Sequence, residues 1–216
     1  MTVKKPQTVF DWITLFLQAI LILGLILSVL EQQWLNVVLT ITVLTMTALP
    51  AVMERRFHVQ IPAEFELLAI LFVFASLFLG EVRGYYLRFW WWDIVLHTGS
   101  GLMLGLTGFL LVYILNQTDR IQLHMNPGFV ALFSFAFAMG AGAIWEIFEF
   151  GMDNLFGLNM QKSGLRDTMW DLIVDAIGAL IFSVTGYLYL KRGWGSPIFR
   201  SVERFLKANP KIFSRR

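Results

Sequence analysis

The strongest constraint on this chain is the alternation of long apolar runs with short charged connections. Six runs, at about residues 11–30, 34–53, 64–80, 92–115, 128–149 and 168–190, come close to the roughly 20 apolar residues that cross a hydrocarbon layer as a helix. Between them lie Glu31-Gln32-Gln33, Glu54 through Pro62, Glu81 through Arg88, Asn116 through Pro127 and Gly151 through Gly164, which carry the turn and helix-breaking residues. Inside lipid only segments that satisfy their own backbone hydrogen bonds are viable, so the expected fold class is all-α, a six-helix transmembrane bundle. A length of 216 residues would suit one or two soluble domains, but 57% of the residues are hydrophobic and only 15% are charged. Residues 1–190 are therefore expected to form one six-span domain, with 191–216 as a basic tail.

The first run must be told apart from a cleaved leader. Met1-Thr-Val-Lys-Lys-Pro precedes roughly 19 apolar residues from Trp12 to Leu30, longer than an ordinary signal-peptide core, and no small-residue cleavage motif follows. The expectation is a retained span. Pro50 falls near the end of the second run, where a bundle tolerates a kink. No fixed-period repeat and no low-complexity tract is present. The absence of cysteine excludes disulfides and thiolate metal sites.

Orientation follows from where the cations lie. With the N-terminus inside, the inner segments hold Lys4, Lys5, Arg55, Arg56, Arg120 and the tail cations from Lys191 to Arg216, against Arg83, Arg88, Lys162 and Arg166 outside. The positive-inside rule then predicts cytoplasmic termini on both ends. Trp34, Trp90, Trp91, Trp92, Trp145 and Trp170 fall at the outer interface in that arrangement, and Trp12 and Trp194 at the inner one, as expected of indoles at headgroup depth. In the tail, Ile198, Phe199, Val202, Phe205 and Leu206 recur at helical spacing among Arg200, Glu203, Arg204 and Lys207. That pattern predicts a short amphipathic cytoplasmic helix on the anionic inner leaflet; a disordered basic tail is the alternative.

Against this apolar background the acidic residues stand out. Glu146, Glu149 and Asp153 lie three and four apart near the outer end of the fifth span, hence on one helix face. Asp93 and His97 are four apart at the outer start of the fourth span. Asp167, Asp171 and Asp175 follow an i, i+4, i+8 row at the start of the sixth, and the row covers ~12 Å, so Asp175 reaches well into the hydrocarbon. Glu81 ends the third span on the same side. Each charge at the centre of a span costs ~2.5–3.5 kcal/mol, so these groups must face one another. Like charges repel, and a bound divalent cation would neutralise them. Oxygen ligands with one imidazole suit Mg²⁺, Mn²⁺, Ca²⁺, Fe²⁺ or Zn²⁺ without choosing among them. The expected ligands are His97, Glu149, Asp171 and Asp175, with Glu146 or Glu149 as general base, His97 as ligand or acid, and Asp93, Asp153 and Asp167 in support.

Simpler roles also fit several of these residues. Asp167 suits a cap on the sixth helix with Thr168 in its first turn. Asp153 and Glu81 suit solvated loop charges, Asp93 suits a pair with Arg88, and His97 suits a satisfied core histidine. Glu64 and Glu66 suit the inner interface, and His58 and His124 fall in inner loops. Small residues support close helix approach around the acids: Gly99, Gly101, Gly105 and Gly108, the run Ala138 through Ala143, and Gly178.

The motifs WWWDIVLHTGSG (90–101), GAIWEIFEF (142–150), Gln161 and DTMWDLIVDAIGA (167–179) together resemble the YjdF-like family of bacterial inner-membrane proteins, a domain of unknown function. A fainter similarity runs to the VanZ-like family, carried by His97, Glu149, Gln161 and the Asp171, Asp175, Gly178 row. The resemblance covers most of the chain. It implies a six-span fold in the bacterial inner membrane and marks the polar positions, Gln161 among them.

Three functional readings follow from the cluster. The first is a divalent-metal-dependent hydrolase or transferase at the outer leaflet, acting on membrane lipid or a lipid-linked substrate, with no role for nucleic acid. The chain has no H-E-x-x-H, no E-x-x-H pair and no G-x-S-x-G, so the site departs from known hydrolase patterns. The second is a cation- or proton-coupled transporter, although the acids crowd one leaflet and no inverted repeat relates the two halves. The third is a non-enzymatic membrane sensor or scaffold that reads outside metal or pH through the same residues.

Overall fold

A computed structural model describes residues 9–117 and 125–210. Lys4, Lys5, Arg120, His124 and the tail beyond residue 210 lie outside the described residues. Six helices are long and apolar enough to cross a membrane: Val9–Leu30, Trp34–Phe57, Ala63–Val82, Trp92–Leu115, Pro127–Phe156 and Leu165–Arg192. Among the described residues there is no strand. The chain separates into two compact units, one from the described parts of Met1–Phe89 and Glu203–Asn209, the other from those of Trp90–Val202 and Pro210–Arg216.

The first unit holds α1 (Val9–Leu30), α2 (Trp34–Phe57), α3 (Ala63–Val73) with its π-helical continuation (Phe74–Val82), and the short α4 (Tyr85–Arg88). Its core is Leu17 and Leu21 of α1, Val43 of α2, and Ile70, Phe74 and Phe78. Gly24 admits the Phe78 ring, since a Cβ at that position would lie 2.7 Å from its carbons. Threonines on α2 return their hydroxyls to the preceding turn, as Thr42 does to the Val38 carbonyl at 2.9 Å, which satisfies them without water. Pro50 lies inside α2, and the helix continues through Arg55 and Arg56 to Phe57.

The second unit is built on α5 (Trp92–Gln117), α6 (Pro127–Phe156), α7 (Leu165–Arg192) and the first turns of α8 (Pro197–Ala208). The buried residues of α7 run along one stripe: Asp171, Val174, Asp175, Gly178, Ala179, Phe182, Ser183 and Gly186. Glycines let the neighbours reach that stripe. A Cβ at Gly101 of α5 would strike the Asp175 carbonyl, and a Cβ at Gly178 of α7 would strike the Thr98 carbonyl, so the two helices touch backbone to backbone. Ser134 of α6 donates to the Gly105 carbonyl of α5 at 2.6 Å. At the other end of the stripe Phe109, Phe182 and Tyr189 gather around Phe199 of α8, whose ring stacks on Tyr189 at 4.2 Å. Pro197–Ala208 of the tail is helical, and Phe199 and Val202 are fully buried in protein, so this part of its apolar face is not turned to lipid.

Three helix ends differ from the sequence expectation by three residues or more, the first being α2, which continues four residues past 53 to Phe57. α6 runs to Phe156, seven residues past the expected end, because nothing breaks the helix before Gly157 takes the left-handed C-cap position at φ +67°. Asp153 therefore belongs to a helix and not to a loop. α7 begins at Leu165, directly after Gly164.

Candidate metal centre

The site forms where the N-terminal ends of α5 and α7 meet the C-terminal end of α6. α6 aims its acids inward because its apolar residues go out: Ile144 and Ile147 are each 69% exposed, while Gly142, Glu146 and Glu149, spaced four and three apart, are buried. Asp171 and Asp175 are 4% and 2% exposed.

His97 is the hub, and its two nitrogens face different groups. Nε2 lies 3.7 Å from Asp93 Oδ1 and 3.9 Å from Asp171 Oδ2. Nδ1 lies 3.5 Å from Asp175 Oδ2, and Asp175 Oδ1 accepts a 2.6 Å hydrogen bond from Ser100. The ring is thus held from behind by a carboxylate that is itself held, which is how a metal-bound imidazole is oriented. On the forward side, one ligand atom each from Asp93, His97 and Asp171 lies within 4.8 Å of the others. Ligands of a single ion at about 2.0–2.5 Å each stand roughly 3–4 Å apart, and separations of 3.7 and 3.9 Å are too long for direct hydrogen bonds but suit a shared cation.

Glu146 supplies a separate sign of a missing partner. It is 4% exposed and lies beside the Thr168 side chain, whose hydroxyl makes no well-formed hydrogen bond to either carboxylate oxygen. It stands one turn beyond Gly142, whose absent Cβ leaves room for Asp175 Oδ2, so it faces the same seam. A buried carboxylate without a donor is costly, and a cation in the seam would relieve it.

The remaining expected residues divide by position. Asp175 stands behind His97, whereas Asp93, expected in support, is in the forward trio. Glu149 is outside that trio; its Oε1 accepts from Trp145 Nε1 at 3.0 Å. Asp153 accepts from the backbone N–H groups of Met160 and Gln161 at 2.7 and 2.9 Å, and Gln161 donates to Thr168 at 2.6 Å, so these two fasten the loop that leads into α7. Asp167 is in the first turn of α7 beside the Lys162 backbone, and Gly164, not Asp167, holds the cap position. Glu81 belongs to the first unit. Asp93 pairs with Lys162 at 2.7 Å instead of Arg88. Two participants escaped the sequence reading. Lys162 counted only as a loop charge, and Ser100 carried no signal except its place three residues after His97, one turn along the same helix.

Six helices long and apolar enough to cross a membrane define a multi-pass integral membrane protein. Residues 13–192 match the family described as a predicted membrane protein, DUF2238, which is the YjdF-like family, and the chain belongs to it. It is also similar to an uncharacterized protein of Thermotoga maritima, 29% identical over 143 residues that cover 66% of this chain and 71% of the relative. No solved structure matches the chain.

Proposed function

We propose that this protein binds a divalent cation through Asp93, His97 and Asp171, and that the centre serves a membrane hydrolase or transferase acting on a lipid or lipid-linked substrate at the outer leaflet. The observation that carries the reading is the division of His97 between a forward pair of carboxylates and a rear support, beside a buried Glu146 that has no partner. A divalent ion there would polarise a phosphoryl or acyl oxygen and lower the pKa of bound water. The residues have distinct parts. Asp175, braced by Ser100, fixes the ring plane of His97. Glu146 is the general base, being close to the centre and without a hydrogen bond to give up. Glu149, tied to Trp145, holds the next turn of α6. Asp153 and Gln161 keep the loop over the site.

Placing the centre at the outer leaflet of the bacterial inner membrane, with both termini cytoplasmic, rests on the bias of Lys and Arg between the connections. The test is metal content of the purified protein by elemental analysis, with Asp171→Asn and Asp93→Asn alongside. Near-stoichiometric metal in the wild type and its loss in both variants is the expected result. Equal traces in all three would remove the basis of the proposal. Hydrolysis of lipid extracts by the metal-loaded protein, absent in Glu146→Gln, would then separate an enzyme from a sensor.

A further inference from the structure

We infer that Lys162 is the built-in counter-ion of this centre: it holds Asp93 until a divalent cation enters, and it gives way when one does. The inference rests on the cation-centre reading above and adds how the centre is filled. Asp93 divides its two oxygens. Oδ1 faces His97 Nε2 at 3.7 Å, and Oδ2 takes the Lys162 ammonium at 2.7 Å. A divalent ion between Asp93, His97 and Asp171 would therefore share one carboxylate with an ammonium.

Lys162 comes from the loop between α6 and α7 and reaches a residue 69 positions earlier in the chain. The loop backbone is strapped just before it, by Asp153 on the N–H groups of Met160 and Gln161, and by the Gln161 side chain on Thr168. The backbone is fixed, but the lysine stem has four methylenes, and the side chain is 28% exposed. The ammonium can thus swing toward water without breaking the straps. Two like charges on one carboxylate repel strongly away from bulk water, whereas an ammonium returned to water recovers its hydration. A partly buried carboxylate near Asp171 and Asp167 is stabilised by a cation, and Lys162 supplies it here. Filling the centre is then an exchange of one cation for another. The unpartnered Glu146 is what distinguishes this from a settled ion pair: with Lys162 in place, one buried carboxylate still lacks a donor.

The exchange predicts that removing the lysine tightens metal binding. Mn²⁺ titration calorimetry on the full-length protein in detergent compares wild type with Lys162→Gln. The expected result is an affinity higher by about tenfold in the variant, since no ammonium then has to be displaced from Asp93. Equal or weaker binding in Lys162→Gln, with wild-type binding intact, overturns the inference and leaves the centre standing. No saturable Mn²⁺ binding in either protein overturns both. A second measurement needs no variant of Lys162. Acylation of its amine by an N-hydroxysuccinimide ester, quantified by peptide mass spectrometry, should rise several-fold when Mn²⁺ is added to the wild type and stay flat in Asp171→Asn. A flat response in the wild type, or an equal rise in Asp171→Asn, would overturn the exchange.

Discussion

Replacing Gly178 by alanine should drive α5 and α7 apart at the level of the site. The new Cβ would strike the Thr98 carbonyl oxygen and lie 3.0 Å from Leu102 N. Both neighbours are backbone atoms of α5, so no rotamer change relieves the contact. Restoring ordinary separations of about 3.5 Å requires the helices to part by roughly 1 Å along the seam. That seam carries Asp175, three residues earlier on α7, with its bonds to Ser100 and His97 of α5. Two terms compete. Alanine is favoured over glycine inside a helix by up to ~1 kcal/mol. Overpacking a close-packed contact costs about 1–3 kcal/mol. Gly99→Ala isolates the first term, because a Cβ at that position meets nothing within 4 Å. Gly99→Ala should therefore hold or gain stability, and Gly178→Ala should lose about 1–2 kcal/mol net. Reversible unfolding in mixed detergent micelles, followed by circular dichroism, gives both values from shifted midpoints. If Gly178→Ala and Gly99→Ala agree within ~0.5 kcal/mol, the backbone contact at Gly178 does not exist and the site geometry built on it fails.

Further outcomes follow from the same contacts. Asp175→Asn leaves His97 with a weaker support and should lower Mn²⁺ affinity about 10–100-fold, measured by calorimetry; unchanged affinity would mean that Asp175 does not set the ring. Asp153→Ala orphans the Met160 and Gln161 N–H groups and should destabilise the protein by about 1–3 kcal/mol, with faster proteolysis between Leu158 and Gly164; an unchanged cleavage rate would reject the strap. Met160→Cys should react with an impermeant maleimide in intact cells and Gly195→Cys should not; the reverse pattern would put the centre at the other leaflet.

The fold class was legible because lipid leaves the backbone one economical solution, and the length of each apolar run then sets the helix. Helix ends were less legible. α6 overruns its apolar stretch by two turns, since Glu149 and Asp153 are helix-compatible and only Gly157 stops the chain. The row Asp171, Asp175 and Gly178 could be read from spacing because a four-residue repeat fixes a face. Which face meets which is a tertiary matter, and there the sequence was silent. In the proposed centre Asp93 takes the ligand place expected of Asp175, because the ring of His97 turns Nδ1 toward Asp175 and Nε2 toward Asp93 and Asp171, a rotamer that no periodicity encodes. Lys162 lies in a loop without periodicity, so its bond to Asp93 had no linear signature.

The buried stripe of α7 changes character along its length, and that change bears on mechanism. Its first two turns present Asp171 and Asp175 to His97, Ser100 and Gly142. Beyond Gly178 the stripe meets Phe109 and Phe199 around its own Phe182, with Leu106 and Val112 also buried in α5, and the buried polar side chains described there are the hydroxyls of Ser134, Ser183 and Ser201. An ion that entered past the Asp153 strap would find oxygen ligands for about two turns and then aromatic rings. Moving a charge from the first region into the second would cost several kcal/mol with nothing to replace its ligands. A conduit needs comparable sites spaced along its whole course, weak enough to release at each step. On the proposed reading, a stripe that is polar at one end and ring-packed at the other gives a bound ion a single deep minimum instead. That asymmetry favours a centre that holds its ion and works beside it over one that passes the ion through.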